Sequence, residues 1–101
     1  MTEEQYLLLV LEEECVEVAK VASKAIRFGV GHTNPDNQKT NHTLLLEEYC
    51  DLLAAFQMLV DDGIVKRPDF TETNQRVSQK KMKVRKMMEY SRSLGKLVRV
   101  Q

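Results

Sequence analysis

Glycine and proline, the residues that stop helices, number only six in this chain of 101 residues. They stand at Gly29, Gly31, Pro35, Gly63, Pro68 and Gly95, and so divide the chain into three long uninterrupted stretches. An all-β fold needs turn residues far more often than this. Three helices are what the pattern permits, because Gly takes the left-handed conformation that closes a helix at little cost.

The first predicted helix runs from about Thr2 to Phe28. Thr2 followed by Glu3, Glu4 and Gln5 supplies an N-cap and a capping-box-like acidic first turn. Leu7, Leu11, Val18, Ala22 and Ala25 share one stripe at helical spacing. Residues 30–41 carry Pro, Gly and Asn without apolar periodicity, and read as a loop. A connector of that length between helices points to a functional segment. The second helix is predicted from about Asn41 or Thr43 to Asp62, capped by Thr40 or Asn41 and closed by Gly63. Residues 64–71 read as a turn around Pro68. The third helix is predicted from about Glu72 to Ser93, with Val77, Val84, Met87 and Met88 as its stripe, ended by Leu94 and Gly95 before a frayed tail. Met58, Met82, Met87 and Met88 suit helix–helix packing, being flexible apolar fillers. The expected fold is all-α: one domain over residues 1–101, three long helices, and a bundle completed by dimerisation, since a chain this short cannot cover all its stripes alone.

Charge is unevenly placed although the net charge is zero. Residues 1–62 hold 12 acidic and 4 basic side chains, a net of −8; residues 63–101 hold 3 acidic and 11 basic, a net of +8. The halves therefore attract each other, within a chain or between chains. Cys15 and Cys50 match no CxxC or Cys/His zinc spacing, and read as two reduced core thiols of a cytoplasmic protein. The acidic N-terminus does not resemble a signal peptide. The longest apolar run, Tyr6 to Leu11, is too short for a membrane span.

The informative residues are acids. Glu14 and Glu17 stand three apart on the first helix, as do Glu48 and Asp51 on the second. Residues at that spacing lie on one face, a turn apart. Glu14 is in register with Val10 and Val21, and Glu17 lies four before Val21. Glu48 lies four after Leu44 and seven before Ala55; Asp51 is seven from Leu44 and from Met58. Both pairs are thus turned toward apolar neighbours. Clustered, partly buried carboxylates repel one another and lose hydration, which costs several kcal/mol unless the charge is matched. Lys20, Lys24 and Arg27 are the only bases on the first helix. A hard divalent cation is the other match, and four carboxylates suit Mg²⁺, which takes oxygen ligands and commonly bridges to phosphates. The plainer alternative is an acidic solvent face.

The run Glu13-Glu14-x-x-Glu17, followed after a loop by Glu48-x-x-Asp51, resembles the EExxE…ExxD signature of the MazG-like all-α nucleotide pyrophosphohydrolases. That superfamily includes dimeric dUTPases and phosphoribosyl-ATP pyrophosphohydrolase. The stretch Ala22-Ser23-Lys24-Ala25-Ile26-Arg27-Phe28-Gly29, the pair Thr40-Asn41, and Lys83-Val84-x-Lys86 with Tyr90-Ser91 look like the short single-domain members of bacteria and phages. The similarity covers roughly residues 5–95. Glu12 adds an extra acid to the run, and the ExxE step selects Glu14 and Glu17 with Glu13 leading.

The resemblance implies hydrolysis of a nucleoside triphosphate between the α and β phosphorus atoms, giving a monophosphate and pyrophosphate. Mg²⁺, or Mn²⁺, on Glu14, Glu17, Glu48 and Asp51 neutralises the triphosphate and orients a water. Glu13, or whichever acid stays off the metal, takes the proton. Lys80 and Lys83, bordering the third helix's apolar stripe, are candidates for phosphate contact. So are Lys24 and Arg27, the latter suited to bidentate binding. Asn41 is a candidate for reading a base edge, or else a cap. His32 and His42 are assigned no role. The expected partners are a nucleoside triphosphate and a second copy of the chain; a membrane is not expected, and nucleic acid is disfavoured by the acidic half. Two alternatives stand beside this: a non-catalytic helical dimerisation or metal-binding protein, and the same fold acting on phosphoribosyl-ATP or dUTP.

Overall fold

The computed structural model describes residues 1–98. It is all-α: α1 spans Glu3–Phe28, α2 Asn41–Asp61 and α3 Phe70–Ser93. Among the described residues there is no strand, only an isolated antiparallel bridge between Thr33 and Thr40 inside the first loop. No helix among them is long and apolar enough to cross a membrane. The chain forms two compact units, Met1–Lys66 and Arg67–Gln101.

The first unit is a helical hairpin in which α1 and α2 run antiparallel and pack along their length. Each helix starts where a side chain satisfies its free N–H groups. Thr2 Oγ1 accepts from the Gln5 N–H (3.1 Å) while Gln5 Oε1 accepts from the Thr2 N–H (2.9 Å), a complete capping box. Thr40, not Asn41, caps α2, its Oγ1 accepting from the Thr43 N–H. Gly29, at φ 99°, ends α1 in a conformation closed to most side chains. Leu7 and Val21 of α1 and Ala55 and Leu59 of α2 are the buried apolar residues. Leu11, Val18, Ala22 and Ala25 of the predicted stripe are half-buried.

The loop is folded rather than loose. The Asn34 N–H donates to the Lys39 carbonyl (2.7 Å), and the Gln38 N–H to the Asn34 carbonyl (2.8 Å). The Asn41 N–H reaches the His32 carbonyl (3.0 Å) and the His42 N–H the Val30 carbonyl (2.9 Å). Asn41 is 2% exposed, and its Nδ2 donates to the Gly29 carbonyl at 2.9 Å. It therefore staples the end of α1 to the start of α2.

The second unit is α3 with the turn that follows it. Asp69 caps it through the Glu72 N–H (2.9 Å), so it begins two residues before the predicted Glu72. A short polar side chain before a helical pattern was the signal, and Pro68 just upstream masked it. No residue of α3 is buried, and its predicted stripe of Val77, Val84, Met87 and Met88 is bare. Met58 and Met82 are bare as well, so the methionines are not buried within either unit. The same correction applies to Cys15 and Cys50, which are exposed and not core thiols. A two-helix hairpin buries one face of each helix, and both thiols lie outside that face. The expected frayed tail falls in part on residues 99–101, outside the described residues.

Candidate metal centre

Glu14 stands midway along α1, two turns from each of the buried residues Leu7 and Val21. Glu48 lies on α2 two turns before the buried Ala55. The hairpin packing that covers those apolar residues therefore brings the two acids face to face, and Asp51 follows Glu48 by one turn. One carboxylate oxygen from each of Glu14, Glu48 and Asp51 lies within 4.8 Å of the other two. Glu14 and Glu48 are half-buried; Asp51 is exposed, not turned inward as its spacing from Leu44 and Met58 suggests.

Glu48 is the centre of the group. Its pKa is raised above that of an ordinary glutamate, first by loss of hydration and then by the negative charges of Asp51, Glu14, Glu17 and Glu47. Of these five acids, Glu17 and Glu47 have lysine partners, whereas among the described residues Glu14, Glu48 and Asp51 form no ion pair.

Glu17 stands apart from that triangle. Its Oε1 meets Lys20 Nζ at 3.4 Å, in a pair one turn apart on α1 whose side chains are both well exposed. Such a pair contributes little, about 0–1 kcal/mol, so nothing strong holds Glu17 away from its neighbours. Glu13 is exposed.

An all-oxygen donor set of this span matches a hard cation. Six oxygens at about 2.1 Å around Mg²⁺ place adjacent ligands about 3 Å apart and opposite ligands about 4.2 Å apart. The oxygens of Glu14, Glu48 and Asp51, within 4.8 Å of one another, have a spacing of that order. No nitrogen or sulfur donor belongs to the group, so it lacks the ligands that favour zinc or copper.

The basic and polar candidates are dispersed. Lys24 is half-buried on α1. Arg27 is exposed, with its guanidinium 5.4 Å from the centre of the Phe28 ring, which itself stacks on His32 at 5.3 Å. Lys80 and Lys83 are exposed on α3; together with Lys96 they rim a shallow depression floored by Val84, Met87 and Leu97. Asn41 is withdrawn from solvent and engaged to Gly29, so the structure does not present it to a ligand. Its side chain serves as a staple between α1 and α2, and the cap of α2 is Thr40.

One ion pair escaped the sequence reading. Lys39 Nζ lies 2.8 Å and 3.1 Å from the two oxygens of Glu47, tying the loop to α2. It gives Glu47 a partner and leaves Glu48, its neighbour in sequence, to the acid group. The pairing spans a turn of loop with no fixed helical spacing, so no periodicity signals it.

Compared with protein-family models, with curated proteins and with solved structures, the chain has no significant match in any of the three.

Proposed function

We propose that the chain is a MazG-like, Mg²⁺-dependent nucleoside triphosphate pyrophosphohydrolase. The observation that supports this most is the meeting of Glu14, Glu48 and Asp51 across two helices, with oxygens within 4.8 Å. The acid signature and its flanking segments supply the substrate class.

Glu14, Glu48 and Asp51 would hold the cation, with Glu17, whose exposed pairing with Lys20 is weak, as a fourth oxygen donor. Mg²⁺ (or Mn²⁺) held there would supply charge neutralisation for a triphosphate. Phosphoryl chemistry asks mainly for positioning and charge neutralisation. Water adds across the α–β linkage: its oxygen bonds to phosphorus, the bridging P–O bond breaks, and its proton passes to a carboxylate. Glu13, exposed and outside the triangle, is the candidate acceptor. Lys24, Arg27, Lys80 and Lys83 are the candidate phosphate contacts. The same reading carries a cytoplasmic homodimer.

The test is a panel of ribo- and deoxynucleoside triphosphates, with dUTP and phosphoribosyl-ATP included, incubated with and without Mg²⁺. Release of pyrophosphate together with a monophosphate supports the reading. Orthophosphate release without pyrophosphate places the cut elsewhere and refutes it. No turnover of any of these substrates with Mg²⁺ or Mn²⁺ leaves the non-catalytic helical protein as the better description.

A further inference from the structure

Glu17 is set apart from Glu14, Glu48 and Asp51 by the residue one turn beyond it. Each residue turns a right-handed helix by about 100° and advances it by about 1.5 Å. Leu7 and Val21 therefore lie within about 20° of Glu14 around α1, and both are buried. Ala55 and Leu59, also buried, stand in the same relation to Glu48 on α2. Asp51 is rotated from Glu48 by about 60°, and Glu17 from Glu14 by the same angle in the same sense. Viewed from one end, antiparallel helices turn in opposite senses, so both rotations lead to one side of the hairpin. By backbone position Glu17 is placed for the acid group much as Asp51 is, yet only Asp51 contributes an oxygen to it.

The difference lies with Lys20. It stands about 4.5 Å further along α1 than Glu17 and about 60° further round from the packed face. Its Nζ lies 3.4 Å from Glu17 Oε1. The ammonium thus draws the carboxylate along the helix and away from Glu14. Residues 1–66 hold five bases: Lys20, Lys24, Arg27, Lys39 and Lys66. Of these, Lys39 is engaged by Glu47, and among the described residues Lys24, Arg27 and Lys66 form no ion pair. Lys20 is therefore the one base of the hairpin seen to hold a residue of the EExxE…ExxD pattern. Its hold is loose, because the two side chains are 63% and 46% exposed and such pairs are weak in water. Glu17 still adds to the negative potential felt by Glu48.

We infer that Lys20 is a positioning residue of the cation site, competing with a divalent cation for the Glu17 carboxylate and so setting the cation concentration at which this fourth acid is engaged, an assignment that rests on reading the acids as a metal site. Lys20 opposes the cation in two ways. It occupies the oxygen that the cation needs, and its own charge repels a second positive charge nearby. A neutral side chain of similar length at position 20 removes both effects. By linkage, Lys20 loses its hold on Glu17 by the same factor when the cation is bound.

The test counts Mn²⁺ through the paramagnetic resonance signal of the free ion, and Mg²⁺ through its displacement of Mn²⁺, so neither measurement needs turnover. The full chain carrying Lys20→Met is expected to bind both ions about three- to tenfold more tightly than the native protein, with helical content unchanged. Lys20→Arg keeps the charge and the pairing, and should stay within about twofold of native. Glu17→Gln should weaken binding, and in that background Lys20→Met should gain less than about twofold, because general repulsion alone is left to relieve. An equal gain in both backgrounds would mean that Lys20 acts through bulk charge and not through Glu17, and overturns the proposal. If the native protein binds the ions while Lys20→Met binds them equally or more weakly, the proposal also fails and the metal site stands. A native protein that binds neither ion overturns the metal site itself, and the role of Lys20 with it.

Discussion

Lost hydration and the neighbouring acids raise the pKa of Glu48, and its behaviour with pH follows from that. Its raised pKa means that the folded chain holds this proton more tightly than the unfolded chain does. Stability linked to Glu48 therefore falls as pH rises from the ordinary glutamate range through the raised folded value. Glu48→Gln removes the charge and keeps the shape. The variant is expected to melt higher than the native protein at neutral pH, with the gap narrowing on acidification through the ordinary glutamate range. Melting curves across that range check it; a gap that does not narrow on acidification refutes it. Asp51→Asn and Glu17→Gln are expected to keep the fold and to lower Mg²⁺-dependent hydrolysis by more than about 100-fold, since even outer partners of a metal site cost about 10–100-fold. Mg²⁺ should raise the melting temperature of the native protein, and less in these variants, because a ligand of the folded state stabilises by about 2.7 kcal/mol at 100 times its Kd. If the variants melt lower and hydrolyse at the native rate, the acids are structural.

At the scale of the helices and the loop joining them, Asn41 is the polar group on which most depends. It is almost wholly buried, and its amide holds the last carbonyl of the α1 cap. Asn41→Ala removes that donor from a closed site, at a cost of about 1–3 kcal/mol. In a chain of this size each kcal/mol lowers the melting temperature by roughly 4–8 °C. Calorimetry should therefore show a clear loss, whereas Asn37→Ala on the exposed side of the loop should cost much less. The helices themselves were legible because Thr2, Gly29, Thr40 and Gly63 act locally: each meets or frees a backbone group within four residues. The approach of Glu14 to Glu48 follows from the register that each shares with buried residues of its helix, whereas Asp51 lies exposed and Glu17 stands outside the triangle, which periodicity did not indicate. The role of Asn41 was not legible. Its partner lies twelve residues away, across a loop whose path depends on the Asn34–Lys39 and His32–Asn41 hydrogen bonds. Burial of Cys15 and of the α3 methionines was misjudged for a related reason. Periodicity shows that a face is apolar, not which element covers it.

For the molecule as a whole, the dominant sequence fact is opposite charge on its two units, −7 on residues 1–66 and +7 on residues 67–101. Within either unit like charges repel, and nothing among the ion pairs offsets this strongly: Lys39 with Glu47 and Lys20 with Glu17 both pair side chains that remain well exposed. In the proposed homodimer, opposite charges of two copies meet and apolar side chains leave water as well. The two contributions respond differently to salt. Screening shortens the reach of charge from about 10 Å at 0.1 M to about 3 Å at 1 M. Apolar burial is not weakened by such salt, and excluded salts such as sulfate strengthen it. The dimer is therefore expected to weaken by about tenfold or more between 0.05 M and 0.5 M sodium chloride, as charge-steered contacts do. It should recover part of that loss when sodium sulfate replaces chloride at equal ionic strength. Sedimentation equilibrium in the two salts measures both effects. Association that strengthens steadily with sodium chloride would assign the contact to the apolar faces alone and remove charge from the argument. Association equally insensitive to both salts would show that neither face is used.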